Sequence, residues 1–358
     1  MLHSKCFTYE WIKEKSDELG ATDPQLVEKC IIAFELVGRL AAEQFDFVFK
    51  GGTSLLLHLS SIKRLSIDAD IVTSATIDDL HEVLTQITFT SPLIDYEYEQ
   101  HRDRENPPTK HFKIYYNSPT QGRRWSIQLD VQMGSLPKDF LEHKLVDMAL
   151  LDVEEPRTVQ IPTVDALLGD KLTAFAPTTA GVLYNPCPRA PDAPPPQPDP
   201  PRVLKQLFDV GELFTVAEDL SAVEAAYDHA FAIQKEARGG TFTREESLYD
   251  SIDAAYHVAE LVLNKTIDNH KTRFFSKAIQ PLDNHVLGSR FNARAAGIPA
   301  ARGALLAALL YSGKTTDISL PEARELPEPE QIGNLSLEEQ FQRLNGLRKI
   351  SPEAFYFW

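Results

Sequence analysis

Cysteine is scarce in this chain: Cys6, Cys30 and Cys187 are its three, odd in number and widely spaced. A disulfide framework or a zinc site would need closely patterned cysteines, so reduced thiols are expected. Long apolar runs are missing as well. No stretch approaches the roughly 18 apolar residues that span a bilayer, and the opening MLHSKCFTYEWIKEK lacks the apolar core of a signal peptide. No membrane partner is expected, and the cytoplasm is the default location. Basic residues are in deficit, 36 Lys and Arg against 52 Asp and Glu for a net charge of −16, which argues against a generic nucleic-acid coat protein. Two local exceptions stand out. In HRDRENPPTKHFKIYYNSPTQGRR, Arg102, Arg104, Lys110, Lys113, Arg123 and Arg124 outnumber the acids; in NHKTRFFSK, Lys271, Arg273 and Lys277 flank Phe274 and Phe275. The ordinary reading of such runs is a solvated face.

What is present suits a globular protein. With 43% hydrophobic and 25% charged residues in 358, the chain can bury a core of one large or two packed domains. Apolar residues at helical spacing over 23–43 predict a helix with Pro24 in its first turn. FDFVFK alternates as a short strand and is ended by Gly51-Gly52; TSLLLHLSSI has the apolar density of a helix, and LSIDADIV alternates again as a strand. The helix ATIDDLHEVLTQI and two strands, KHFKIYYN and RWSIQLDVQM, separated by the turn-rich SPTQG, follow. Beyond Thr163 the pattern is helical, interrupted by the proline-dense 185–201, which is expected to be an extended exposed loop. PEARELPEPEQIGN reads as an acidic linker before a last short helix opened by a capping box at Ser336 and Glu339. The expected organisation is a core over 1–160, a helical domain over 161–320 and a linker with a C-terminal helix over 321–358. In fold class this is α/β, more strictly α+β: a small mixed sheet followed by a C-terminal helical bundle.

Asp68 and Asp70 stand at i and i+2 on the polar side of the LSIDADIV strand, so their carboxylates project from one face. Asp130 has the same placement in RWSIQLDVQM and can complete a site for Mg2+, which takes few protein carboxylates and keeps positions for water and phosphate oxygens. Gly51 and Gly52 let the backbone approach a ligand, the helix start behind them offers N–H groups to a triphosphate, and Thr53 and Ser54 add hydroxyls. Lys171 falls within the apolar stripe of TVDALLGDKLTAFA, where a lysine either snorkels outward or points into a site that wants a cation. Singly these features are weak: a glycine pair is usually a turn, and Asp209 with Lys205 reads as a surface i,i+4 pair. Jointly they match the signature of the polymerase-β-like minimal nucleotidyltransferase fold, with NTP as substrate.

FKGGTSL, KRLSIDADI, LLGDKLTAFAPTTAGVLY and KQLFDVGELF, in that order, resemble the consecutive motifs of the AbiEii-like nucleotidyltransferase toxins of type IV toxin–antitoxin and abortive-infection systems. The resemblance implies triphosphate binding by Gly51, Gly52, Thr53 and Ser54, and places Arg64 and Ser66 beside metal-binding Asp68 and Asp70. It further implies that Lys171 contacts nucleotide phosphates and that Asp209 is an essential acid and the candidate base that activates the acceptor; the helical pattern of the second half is expected to bring both to the nucleotide. Transfer of NMP to an acceptor, foremost the 3′ end of tRNA, and a cognate antitoxin are expectations from the same source. The proline run departs from the family pattern by its length, which bears on the acceptor side. An antibiotic-type enzyme acting on a small molecule and a non-catalytic NTP-binding module are the alternatives.

Overall fold

The first two helices begin at capping residues. Thr8 accepts the Trp11 N–H at the start of α1 (Tyr9–Leu19), and Asp23 accepts the Gln25 N–H at the start of α2 (Pro24–Ala42), whose Pro24 sits where no N–H is missed. A computed structural model describes the chain except residues 22, 106–107, 186–196 and 264–268. It divides into two units, Met1–Thr163 with Asn284–Ser289, and Val164–Asp283 with Arg290–Trp358.

In the first unit α2 is a core helix, burying Val27, Ile31, Phe34, Val37 and Leu40. It also buries Glu35 and Arg39, which pair at 2.8 Å; Arg39 then donates to the carbonyls of Ile87, Thr90 and Ser91, fastening the end of a later helix. The short strand β1 (Val48–Lys50) runs into α3 (Gly51–Ser54), a single helical turn continued by a 3-10 turn over Leu55–Leu57. TSLLLHLSSI therefore does not form the expected helix. The chain turns away to lay Lys63–Leu65 against a segment more than 200 residues downstream: Leu65 N–H donates to His285 O and Leu287 N–H to Lys63 O, both at 2.9 Å. The next strand, β2 (Ala69–Thr73), also starts later than the alternation predicts, and Asp68 lies just ahead of it.

Helix α4 (Ile77–Ile87), opened by a Thr76–Asp79 capping box, precedes β3 (Leu93–Tyr98), β4 (Arg104–Glu105), β5 (Pro108–Ser118), β6 (Arg123–Met133), β7 (Leu141–Leu145) and β8 (Thr158–Pro162). The strands order as β3-β5-β6-β2-β1-β8-β7, with β4 beside β5. β2–β6 and β1–β8 are parallel and the other pairs antiparallel, which makes the sheet mixed and the fold α+β.

The second unit is helical: α5 (Val164–Ala174), α6 (Pro200–Leu213), α7 (Leu220–Ala237), α8 (Arg244–Val262), α9 (His270–Ser276), α10 (Ile279–Asp283) and α11 (Ala293–Ser312), then α12 (Leu320–Ala323), α13 (Pro329–Asn334), α14 (Leu347–Ile350) and α15 (Pro352–Phe357). α5 packs on α6 and α7, and α11 packs on α6 and α8. Contrary to the reading of the sequence, one run does reach membrane-spanning length and composition, α11, but 56% of its apolar window is buried inside the unit and Arg302 on it pairs with Glu353 at 2.7 Å. The proline-dense segment lies mostly at 186–196, outside the described residues, as does Cys187; Pro200 and Pro201, expected in the loop, form the first turn of α6. Cys6 and Cys30 are free and buried, and burial pushes the Cys30 thiol up to about 12. The acidic linker folds into α12 and α13. Its capping box forms at Ser319 and Glu322, whereas Glu339 opens a 3-10 turn and Ser336 bonds the Asn345 side chain instead.

Candidate active site

β1 ends at Lys50 because Gly51 takes φ +80°, a left-handed conformation that side chains strain to adopt. A second constraint is spatial: a Cβ on Gly51 would lie 2.0 Å from Asp70 Oδ2, so only glycine lets this backbone rest against that carboxylate. Gly52 is seated similarly, its Cβ position being 2.8 Å from Ser66 Oγ and 3.0 Å from Arg64 Nη2. Five of the predicted residues, Gly51, Gly52, Asp70, Ser66 and Arg64, thus meet at one point of the first unit. Thr53 and Ser54 have another use. Both are buried; Thr53 Oγ1 donates to Asp68 O at 2.5 Å and Ser54 Oγ to Gly51 O at 3.1 Å. Their hydroxyl protons hold the turn in place. Because α3 is a single turn, what it could offer an anion is its first N–H groups and little macrodipole.

Sheet register assembles the acidic part. Asp70 stands directly beside Asp130 in the parallel β2–β6 pair, and Asp130 directly opposite His111 in the antiparallel β5–β6 pair. In-register neighbours share a face, and His111 Nδ1 lies 2.7 Å from Asp130 Oδ1. His111 is buried and was not among the residues singled out from sequence. On the other side of Asp70, Lys50 faces it across β1–β2 and donates to Gln132 Oε1 at 3.0 Å. Asp68 is exposed and lies outside the ladder, so the pleat does not fix its direction. Among the described residues no three His, Cys, Asp or Glu side chains form a metal cluster. The trio Asp68, Asp70 and Asp130 is therefore no ready-made cage, and one Asp130 oxygen is engaged by His111. The donor chemistry still fits a hard divalent cation, since these carboxylates are all-oxygen anionic ligands and such a cation retains its own waters.

Arg64 is buried, donates to Leu65 O at 3.0 Å and bridges to Val286, so the returning segment Asn284–Ser289 braces the loop that carries Arg64 and Ser66.

In the second unit α5 and α6 bring Lys171 and Asp209 together. Lys171 Nζ lies 3.0 Å from Asp209 Oδ2 and donates to Gln206 Oε1 at 3.3 Å, with side chains only 8% and 3% exposed. The lysine in the apolar stripe is buried against an acid, and Asp209 is no mere surface partner of Lys205. The end of the same motif has a structural explanation. Asp250 accepts the N–H groups of Thr178 and Thr179 at 2.7 and 3.0 Å and the Thr179 hydroxyl at 2.9 Å, and burial raises its carboxyl above the usual range.

A glycine backbone against one carboxylate, with a second carboxylate in register, can bring phosphate and a metal-binding group together. The profile of the family described as nucleotidyl transferase AbiEii toxin, type IV toxin–antitoxin system, matches residues 36–296. No curated protein sequence matches the chain. Solved structures similar to it include JHP933 from Helicobacter pylori, 13% identical at TM-score 0.42 over 81% of this chain and 92% of that one. Another is an antigenic nucleotidyltransferase-like protein from Paracoccidioides brasiliensis, 12% identical at TM-score 0.34 over 58% of this chain and 89% of that one.

Proposed function

The chain belongs to the family of AbiEii nucleotidyl transferase toxins of type IV toxin–antitoxin systems, and from that premise we propose that it transfers NMP from an NTP to the 3′ end of tRNA and so blocks translation. An antitoxin partner follows from the family. The observation that carries the reading is the seat of Gly51 on Asp70, where a side chain would collide at 2.0 Å. It brings backbone N–H groups that suit phosphate oxygens next to a carboxylate that suits a cation.

In this reading the backbone of Gly51 and Gly52 binds the triphosphate, with Thr53 and Ser54 holding the turn and Arg64 and Ser66 lining it. Mg2+ held by Asp68 and Asp70, with Asp130 beside them, would neutralise charge on the phosphates and align the acceptor oxygen. His111 is a positioning residue, keeping the Asp130 carboxylate in one orientation. Lys171 is assigned to phosphate neutralisation on its motif, and Asp209, its partner at 3.0 Å, to holding the ammonium in place rather than to acting as a base. The acceptor oxygen attacks the α-phosphorus as its proton passes to solvent water, the bond to the α–β bridging oxygen breaks and pyrophosphate leaves.

The test is incorporation of each α-phosphate-radiolabelled NTP into total tRNA with Mg2+, beside the Asp68→Ala, Asp70→Ala double variant and a parallel incubation with aminoglycosides. A labelled tRNA band that the variant loses is expected, and it names the base. Label on the aminoglycosides alone would give the site a small-molecule acceptor, and label nowhere would remove the transfer.

A further inference from the structure

The polar face of the sheet carries more than its acids. Lys50 on β1, Asp70 on β2, Asp130 on β6 and His111 on β5 are register partners in turn, so they form one row across adjacent strands. The alternate residues Phe49, Ala69, Ile71, Leu129 and Val131 point the other way, into the core with α2. Lys50 is half-buried in that row, and its ammonium does not close on the carboxylate it faces. It donates instead to Gln132 Oε1 at 3.0 Å, and among the described residues no carboxylate lies within ion-pair distance of its Nζ. A hydrogen bond to a neutral amide orients an ammonium without cancelling its charge, and leaves it further donors. Lys50 is thus a cation fixed on the face of the candidate site, unlike a lysine free to swing in solvent.

Direction along the strands gives that place a meaning. Gln132 pairs with Val72 and Val72 with Val48, which precedes Lys50 on β1, whereas Gly51 and Gly52 follow Lys50. The glycine turn therefore lies on one side of the carboxylate row, and the Gln132 amide draws the ammonium toward the other. With the triphosphate on the glycine turn, as proposed above, pyrophosphate departs on the glycine side. Attacking and leaving oxygens stand roughly in line through the phosphorus, so the acceptor enters from the opposite side, where Lys50 is held. An ammonium there suits an acceptor that carries a phosphate beside its reacting hydroxyl, as the end of an RNA chain does, and repels a polycationic aminoglycoside.

We infer that Lys50, held in place by Gln132, is a specificity-determining residue for the acceptor, its ammonium taking a non-bridging oxygen of the phosphodiester next to the acceptor hydroxyl; this rests on the transfer reaction proposed above.

The experiment uses the full-length protein with tRNA and the incorporated NTP varied separately, and also measures tRNA binding without NTP over a range of salt concentrations. Wild type is compared with Lys50→Met, Lys50→Arg and Gln132→Leu, each checked by thermal melting. Lys50→Met is expected to raise both the KM and the Kd for tRNA about tenfold, the scale of one hydrogen bond to a charged group, and to lower the salt slope of binding by about one. The KM for NTP and the melting temperature should stay unchanged. Lys50→Arg should restore most of the tRNA affinity, and Gln132→Leu should lose part of it. A raised KM for NTP beside an unchanged KM for tRNA would overturn the inference by putting the ammonium on the triphosphate. Unchanged constants in a folded Lys50→Met would overturn it too, leaving Lys50 a brace between β1 and β6. If the wild type binds tRNA without labelling it and Lys50→Met binds it about tenfold more weakly, the phosphate contact stands and the acceptor assignment falls. If the wild type binds no RNA and labels an aminoglycoside, both fall.

Discussion

Asp70 and Asp209 both lie in the family's motif blocks, yet they stand in opposite surroundings. Asp70 is part-exposed on a sheet, against a glycine and beside a second carboxylate; Asp209 is 2% exposed on a helix, its charge met by Lys171 at 3.0 Å. A carboxylate that water still reaches can be removed with little loss of packing, so its deletion reads out chemistry. A buried ion pair has exchanged water for each other's charge, and deleting one half strands the other. Inactivity therefore means different things in the two units, and each prediction below is a way to force them apart.

The largest effect is expected at Asp70. Asp70→Ala should lower nucleotidyl transfer by roughly a thousandfold or more, the scale of losing a charge-stabilising group at a reacting centre, with the melting temperature nearly unchanged. A drop of several degrees would make Asp70 a structural residue like its counterpart. Next comes the buried pair. Lys171→Ala or Asp209→Ala should cost about 3–5 kcal/mol by chemical denaturation, and the joint replacement Lys171→Met with Asp209→Leu should recover most of it. If the double variant folds and still transfers NMP, the pair is architecture only; if it folds and is dead, Lys171 acts in the chemistry as assigned.

The two glycines sharpen the contrast within one turn. Gly51→Ala meets the Asp70 carboxylate at 2.0 Å and must hold φ +80°, whereas Gly52→Ala meets the movable ends of Ser66 and Arg64 at 2.8 and 3.0 Å. Displacement of a reacting group by about an ångström is enough for roughly a hundredfold loss, so steady-state kinetics should show Gly51→Ala far more damaged than Gly52→Ala. Equal loss in both would shift the critical contact from the carboxylate to the Arg64 loop.

The parts of this contrast that could be read from sequence are those whose cause is local. Alternation gave β5, β6 and their SPTQG turn and put Asp130 on the polar face of its strand, while its place beside Asp70 is set by the long-range β2–β6 register. The apolar run after Gly52 misled because the competing influence is remote: Asn284–Ser289 pairs with Lys63–Leu65 and draws the chain out of a helix that composition favours. Lys171 was recognised as anomalous in its stripe, but its acid lies on another helix, and nothing local points from one to the other. The hydroxyls of Thr53 and Ser54 look alike on paper whether they face a ligand or close their own turn.

His111 is the smallest and most informative case, because it was within reach of the sequence. A four-residue turn between Ser118 and Arg123 fixes the hairpin register, and counting back along it puts His111 opposite Asp130. The imidazole then has one identifiable task, to hold one Asp130 oxygen at 2.7 Å while Asp70 stands on the other side. His111→Ala should reduce transfer about tenfold, at the low end for residues that orient a metal-binding group. His111→Asn, whose amide can donate in a similar place, should recover part of the rate. The divalent-ion concentration needed for half-maximal activity should rise in His111→Ala and fall back in His111→Asn, a shift that a general loss of stability would not produce. Equal rates and equal ion requirement in all three proteins would leave Asp130 outside the chemistry and reduce the acidic site to Asp68 and Asp70.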